Sequence, residues 1–218
     1  MCGLAGIVGE VDLMEQVLLH MSAAQNHRGK ETPNSWVSSF IDARVGLMHN
    51  RMKTIDMAVA PKQPFEDNDT GLVVMLDGEI FNYEDVRRQL ENYYSFTTRG
   101  MCEVITKAYD RWGDGCFDRF EGYFSIVIYN RWSEELLLCR DRFGIKPLYY
   151  ATQRGNLFFA SEIKALFAGG IRPLLSAERW ASYLAYSTYG SPYETFWEGV
   201  HQLSLIHISE PTRRVVIS

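Results

Sequence analysis

The sequence predicts an α+β protein in which stacked β-sheets are covered by helices. Short apolar segments typical of strands are separated by turn-like breaks, and amphipathic segments typical of helices flank them. Several strand segments also lack the alternation of polar and apolar residues that a sheet with one wet face shows. We therefore expect those strands to be buried on both faces.

The first half of the chain begins with a predicted strand, CGLAGIVG, and a predicted helix, MEQVLLHMSAAQNH, whose apolar residues recur at helical spacing. After the polar loop HRGKETPN, the segment SWVSSFIDARVGLMHNRM predicts two strands joined near Asp42. GLVVMLDGEIF predicts a strand that ends in a turn at Asp77 and Gly78. YEDVRRQLEN and CEVITKAYDRWG predict helices, and we expect the second to end at Gly113.

The second half predicts a meander of strands at YFSIVIYN, ELLLCRD, PLYYAT and NLFFAS. SEIKALFAGG predicts a helix capped by Ser161, and SAERWASYLAY predicts another helix. The last segment, SLIHISEPTRRVVIS, continues no pattern of the preceding chain and resembles translated adapter DNA. We expect residues 204–218 to be a non-native or disordered tail, and the chain to be a fragment of a longer protein.

Composition argues against several classes of function. The 218 residues carry a net charge of −5 without a basic cluster, which disfavours nucleic acid as a partner. No apolar run approaches the roughly 20 residues of a membrane span, and no signal peptide is evident, so we expect a cytoplasmic protein without membrane contact. The four cysteines have no zinc-ligand spacing, so no metal site is expected; three of them are read as core residues, namely Cys102, Cys116 and Cys139.

Eight segments occur in the order found in one known family. They are MCGLAGIVG at residues 1–9, HRG at 27–29, GLMHNRM at 46–52, QPF at 63–65, DGEIFNY at 77–83, CEVI at 102–105, RDRFGIKPLYY at 140–150 and FASEIKAL at 159–166. Together they resemble the class II glutamine amidotransferase domain, in particular that of glutamine-dependent asparagine synthetases. The resemblance covers residues 2–203 and implies an αββα four-layer sandwich of the N-terminal-nucleophile hydrolase type.

The resemblance implies that Met1 is removed and that the thiol of Cys2 attacks the side-chain amide of L-glutamine. The chemistry agrees, because an α-amino group with a pKa near 7.7–8.0 can accept the proton of a thiol on the same residue. An internal cysteine has no such amine. Taken alone, Cys2 would be read as a small buried apolar residue; with the surrounding motifs it is read as the nucleophile.

The resemblance also implies a binding site for glutamine. In that site the Arg51 guanidinium would pair with the α-carboxylate of the substrate. Gly78 would offer its backbone N–H to the oxyanion, and Glu79 would help to hold the amino end of the substrate. Backbone groups of the same wall would come from the segment Arg51, Met52, Lys53, Thr54 and Ile55. The charged residues of RDRFGIKPLYY are expected to brace the fold or contact a partner domain.

Two residues depart from the family pattern inside this site. Asp77 stands where the family usually has an asparagine whose amide donates to the oxyanion, and a carboxylate can only accept. Met101 stands where an aspartate normally binds the α-ammonium of the substrate. A smaller departure is HRGKE in place of HRGPD. These changes predict a weak glutaminase, an altered substrate or a scaffold that no longer makes ammonia.

Three functions therefore stay open. The first is an active glutaminase domain that supplies ammonia to a synthetase domain absent from this chain. The second is a non-catalytic amidotransferase-like scaffold, and the third is the glutaminase domain of another class II amidotransferase, of sugar-phosphate or phosphoribosyl type. No phosphate-binding glycine loop occurs here, so ATP and Mg are expected only for the missing synthetase domain, and no cofactor for this chain. A homodimer of the full-length protein is compatible with the resemblance.

Overall fold

A computed structural model describes residues 1–31, 33–39, 44–52, 62–188, 193–204 and 215–217. Within them, five α-helices surround two β-sheets. The helices are α1 (Met14–Ala24), α2 (Tyr83–Leu90), α3 (Met101–Trp112), α4 (Ile163–Ala168) and α5 (Ala177–Tyr186). The strands are β1 (Gly3–Val8), β2 (Asn34–Ser39), β3 (Arg44–Asn50), β4 (Phe65–Asp67), β5 (Leu72–Ile80), β6 (Gly122–Asn130), β7 (Glu135–Arg140), β8 (Tyr149–Gln153), β9 (Asn156–Ala160), β10 (Val200–Gln202) and β11 (Val215–Ile217).

The first sheet has the strand order β10-β8-β9-β1-β3-β2, and all of its pairs are antiparallel. The small residues of its central strand β1 leave room for side chains of the neighbouring strand β9. Gly6 lies opposite both Leu47 and Phe159, and a Cβ on Gly6 would come within 2.1 Å of the Phe159 ring. The absence of a side chain at Gly6 therefore makes room for the aromatic ring of β9.

The second sheet has the order β11-β7-β6-β5-β4, in which only β11 runs parallel to its neighbour. Alternate residues of its central strands face opposite sides. In β5, Val73 and Met75 pack between the two sheets, whereas Val74 and Leu76 pack against α2 and α3. A strand with apolar residues on both faces is what an uninterrupted run such as LVVML predicts, and the expectation of strands buried on both sides is confirmed.

Three buried clusters define four layers. One lies between the two sheets, a second lies between the first sheet and helices α1 and α4, and a third lies between the second sheet and helices α2 and α3. The order of layers is thus helix, sheet, sheet, helix. The predicted αββα four-layer sandwich is confirmed.

The predicted turn at Asp77 and Gly78 is wrong, because β5 continues through both residues to Ile80. Gly78 has a φ of +141°, and a Cβ there would come within 2.1 Å of the Tyr123 carbonyl oxygen. The glycine therefore allows β5 to stay paired with β6 at a close approach, where sequence-local rules indicate a turn. Pairing with a distant strand overrides the turn preference of the dipeptide.

The predicted cap of α4 is also wrong. Glu162 is the residue before the helix, and no side chain caps this end. The Ser161 hydroxyl instead accepts the backbone N–H of Leu4 at 2.9 Å, which ties the end of β9 to β1. By contrast, α3 ends as predicted, at Gly113 with a φ of +56°. The predicted joint near Asp42 lies outside the described residues.

In the tail, Val215–Ile217 pairs in parallel with Leu136–Leu138 of β7 through its backbone. Residues 205–214 and 218 lie outside the described part of the chain, so the expectation for the tail stays a prediction. Among the described residues, no helix is long and apolar enough to cross a bilayer.

Candidate active site

The alternation of side chains in the sandwich brings several polar residues together at one end, between the two sheets. Leu4 of β1, Leu47 of β3 and Met75 of β5 all belong to the core between the sheets. Residues two positions away in an extended chain share that side, which places Cys2, just before β1, and His49 and Asp77 toward the opposite sheet. Two of these are joined directly, because the Cys2 backbone N–H donates to Asp77 Oδ1 at 3.0 Å.

Cys2 is half-buried immediately before β1. Burial is the largest influence on its thiol and raises the pKa. A hydrogen bond from the Met52 backbone lowers the pKa, and the charge of Asp77 raises it again. The net pKa of the thiol is raised, so in the unprocessed chain Cys2 is a thiol rather than a thiolate at neutral pH.

Arg28 holds the other side of Cys2. It ends a short 3₁₀ turn, Asn26–Arg28, that follows α1. Its Nε donates to the Cys2 carbonyl at 2.8 Å, one terminal nitrogen donates to Asp77 Oδ2 at 2.7 Å, and the other reaches Glu162 at 3.3 Å. The HRG segment is one of the motifs that carry the family resemblance, but the sequence predicts no role for Arg28. The only signal was a cationic residue between a histidine and a glycine in a polar loop.

Asp77 is 1% exposed and is surrounded by donors. Its Oδ2 accepts from Arg28, and its Oδ1 accepts from the Cys2 nitrogen and from Lys146 Nζ at 3.3 Å. Each carboxylate oxygen therefore faces a cation. A buried charge needs such pairing, because an unpaired carboxylate in this position would cost several kcal/mol.

Lys146 belongs to the segment RDRFGIKPLYY, and the structure separates the roles of that segment. Arg140 is buried and donates to three backbone carbonyls, and the Asp141 carboxylate accepts four backbone N–H groups. Both residues brace the fold, as expected. The Lys146 side chain instead joins the Asp77 group and lies over the Tyr123 ring at 5.1 Å.

His49 lies deeper between the sheets and is fully buried. Burial lowers its pKa to about 4, so the ring is neutral at pH 7. Its Nε2 is 3.3 Å from the Leu76 carbonyl, which fixes Nε2 as the donor, and Nδ1 has no partner in the described structure. A neutral imidazole adds no positive charge to the Asp77 group.

The other predicted binding residues occupy different surroundings. Arg51 follows β3, is mostly buried and lies 3.7 Å from a Glu31 oxygen. Glu79 is exposed and accepts from the Tyr123 hydroxyl at 3.2 Å. Met101 begins α3 and packs against the core between the second sheet and the helices α2 and α3. Contact between these residues and glutamine stays a prediction.

The remaining predicted site residues are Met52 to Ile55 and Gly78, of which the structure describes Met52 and Gly78. Met52 is exposed, and its backbone contacts the Cys2 thiol, which brings the start of the RMKTI segment to the site. Lys53, Thr54 and Ile55 lie outside the described residues. Gly78 lies in β5 beside Asp77. No group of three or more His, Cys, Asp or Glu side chains suited to a metal occurs in the described parts of the chain.

The order helix, sheet, sheet, helix, with mainly antiparallel sheets stacked in the middle, is the αββα fold of the N-terminal-nucleophile type. Solved amidotransferases share this fold. Glutamine phosphoribosylpyrophosphate (PRPP) amidotransferase from B. subtilis, complexed with ADP and GMP, superposes with a TM-score of 0.63 and 21% identity, over 78% of this chain and 44% of that chain. A second structure, of an allosteric regulatory enzyme of purine biosynthesis, superposes with a TM-score of 0.61 and 18% identity, over 78% of this chain and 43% of that one.

The chain belongs to the glutamine amidotransferase domain family, whose pattern matches residues 1–215. Asparagine synthetase [glutamine-hydrolyzing] 2 of Bacillus subtilis (strain 168) is 40% identical over 173 residues, which are 77% of this chain and 22% of that protein. Amidase chry2 of Gibberella zeae is 32% identical over 192 residues, which are 86% of this chain and 27% of that protein. The chain thus spans about a quarter of the length of these relatives.

Proposed function

We propose that this domain hydrolyses L-glutamine to glutamate and ammonia through the thiol of Cys2. The observation that carries the proposal is the position of Cys2. The thiol is half-buried at the inner edge of the sandwich, and both backbone ends of the residue are held, by Asp77 and Arg28. A nucleophile that is fixed in this way needs no further rearrangement before it meets a substrate.

The proposed reaction begins after removal of Met1. The α-amino group of Cys2 takes the thiol proton, and the thiolate attacks the amide carbon of glutamine. Collapse of the adduct breaks the carbon–nitrogen bond, and ammonia leaves with the proton that the amine returns. Water then hydrolyses the thioester to glutamate and restores the thiol. No metal or organic cofactor takes part in these steps.

The ammonia acceptor would belong to a second domain. The match to this chain covers only 22% and 30% of two relatives named asparagine synthetases, so we propose a synthetase domain of that type as the partner. ATP and Mg would act in that domain. The third function, a sugar-phosphate or phosphoribosyl amidotransferase, is less favoured because the paired segments RDRFGIKPLYY and FASEIKAL fit asparagine synthetases better. We expect neither nucleic acid nor membrane as a partner, and a cytoplasmic protein.

A non-catalytic scaffold is the second candidate, and Asp77 favours it. Its carboxylate accepts from two cations and from the Cys2 nitrogen, so it offers no donor to an oxyanion. Loss of one oxyanion donor typically costs a factor of about 10²–10³ in kcat. The same residue can therefore either weaken a working glutaminase or mark one that has been abandoned.

Glutamate release from glutamine separates these candidates. The protein is tested with Met1 removed, as checked by intact mass, beside Cys2→Ala and the double variant Asp77→Asn with Met101→Asp. We expect slow release by the parent, none by Cys2→Ala and a large gain in the double variant. If the folded, processed parent and double variant both release no glutamate, the scaffold function replaces the proposed one.

A further inference from the structure

The backbone nitrogen of Cys2 has an anionic partner. It lies 3.0 Å from Asp77 Oδ1, in a position that is already occupied before Met1 is removed. Removal of Met1 would turn this peptide N–H into a primary amine beside a strand that stays paired, because Gly3 lies opposite Asn50 of β3 and β9 pairs with β1 from Ala5 onward. The amine that the proposed mechanism uses as its base would then face a carboxylate.

The same carboxylate is locked to the opposite end of the residue. Arg28 donates to Asp77 Oδ2 at 2.7 Å and to the Cys2 carbonyl at 2.8 Å. Cys2, Asp77 and Arg28 thus form a closed ring of three contacts, through the nitrogen, the carboxylate and the carbonyl. Asp77 is buried and lies in a strand paired with β6, so its backbone is fixed beside Cys2.

We propose that Asp77 is a positioning residue that holds the α-amino group of processed Cys2 and thereby sets the pH range in which this amine can accept the thiol proton. The inference rests on the proposed function only in naming that amine as the base. The contacts themselves belong to the unprocessed chain and require no substrate.

The charges around Asp77 decide the direction of the effect. Oδ1 also accepts from Lys146 at 3.3 Å, so the processed amine and the Lys146 ammonium would share one oxygen. Arg28 occupies the other oxygen, and its charge is shared with Glu162. Among the described residues, the other ionisable groups that interact with Asp77 are the Cys2 thiol, the neutral His49 ring and the Tyr123 phenol, and the charge of Arg51 also acts on His49.

Removing the Asp77 charge acts in one direction on both reacting groups. Without it, Arg28 and Lys146 are unbalanced cations that disfavour an ammonium and favour a thiolate. Asp77 therefore keeps the amine protonated to higher pH and keeps the thiol protonated as well. Asp77 thus raises the pH at which the free amine forms, which makes the parent a slower glutaminase near neutrality than Asp77→Asn.

The test is a titration of the amine itself. The processed protein is labelled with [¹⁵N]cysteine, in which only Cys2 carries an amine nitrogen while the other three cysteine nitrogens are amides. The ¹⁵N shift of that amine is followed against pH in the parent, in Asp77→Asn and in Asp67→Asn. Asp67 is a matched control, since it is also a buried carboxylate, paired with Lys107 at 3.0 Å. In the sheet, Asp67 of β4 lies opposite Leu72 of β5. Leu72 is five residues, or about 17 Å, from Asp77 along that strand.

We expect the midpoint to fall by about one pH unit or more in Asp77→Asn and to stay at the parent value in Asp67→Asn. In the same variant, the midpoint of the pH profile for Cys2 alkylation by iodoacetamide should also lie at lower pH. Equal midpoints in the parent and Asp77→Asn would overturn the proposal.

If Asp77→Asn does not fold, Lys146→Gln provides the test, because it removes the competing cation from Oδ1. Its amine midpoint should rise above the parent value, and an unchanged midpoint would overturn the proposal. Neither readout requires turnover. If the variants show these shifts but neither the parent nor the Asp77→Asn, Met101→Asp double variant releases glutamate, the proposed function is refuted and the positioning role is supported.

Discussion

Replacement of Arg28 by alanine should destabilise the protein far more than removal of an equally short ion pair on the surface. Arg28 is 6% exposed and lies 2.7 Å from Asp77, which is 1% exposed. Arg142 lies at the same distance from Asp118, but both of these side chains are more than half exposed. The two pairs differ in burial and not in length, so Arg142→Ala is a matched control.

The magnitude follows from what Arg28→Ala leaves behind. Removing one partner of a buried ion pair typically costs about 3–5 kcal/mol, because the other charge stays buried without compensation. Asp77 keeps Lys146, so we expect the lower end, about 3 kcal/mol. For a chain of this length that corresponds to a Tm lower by about 6–12 °C. The exposed pair should contribute about 0–1 kcal/mol.

Urea denaturation followed by tryptophan fluorescence, with thermal melts beside it, measures both variants against the parent. The expected order of stability is parent, then Arg142→Ala close below it, then Arg28→Ala well below both. Losses of the same size in the two variants would show that burial does not govern the Arg28 contact and that the account of Asp77 as a compensated charge is wrong.

Three further variants test the surroundings of the site. The pKa of His49 is lowered to about 4 in the folded protein, so the unfolded chain binds a proton first as pH falls from about 6.5 to 4, and the free energy of unfolding falls in that window. In urea titrations, His49→Gln should reduce this loss of stability. His20 is exposed, and His20→Gln should leave the loss unchanged. Gly78→Ala should cost about 2 kcal/mol or more, because the added Cβ meets a carbonyl of β6, and a thermal melt should show a smaller loss for Gly155→Ala, where φ is +78° and no atom lies within 4 Å. Arg51→Ala should raise the KM for glutamine with less effect on kcat if its guanidinium binds the α-carboxylate, and an unchanged KM in steady-state assays would remove Arg51 from the site.

Much of the fold could be predicted from local sequence. Strand and helix periodicity identified the segments that became β1 to β3, β5 to β9 and α1 to α5, because each pattern depends on which face of its own element is buried. The unbroken apolar runs also indicated burial on both faces, which is the mark of the two inner layers. The position of Cys2 one residue behind Met1, together with the family motifs, predicted the nucleophile, since the requirement for an adjacent amine is covalent and does not depend on folding.

The partners of the buried charges could not be predicted in this way. From its residue type and the family resemblance, Asp77 is predicted only to be a carboxylate that offers no donor to an oxyanion. Its cations come from Arg28, 49 residues away, and from Lys146, 69 residues away. Only the stacking of the two sheets brings them together, and no local pattern records that distance. The same applies to Ser161, whose hydroxyl accepts from a strand 157 residues away instead of capping its own helix.

The sequence by itself thus determined most of the elements and the class of fold, because these depend on neighbouring residues, and it predicted Cys2 as the nucleophile from its covalent position and the family motifs. The tertiary structure decided that Asp77 and Gly78 continue a strand and that the Lys146 side chain contacts Asp77. It also decided that Arg28 contacts both the Cys2 carbonyl and the carboxylate that accepts the Cys2 N–H. A buried carboxylate is stable only where cations from other elements reach it, and their approach is set by the packing of the layers.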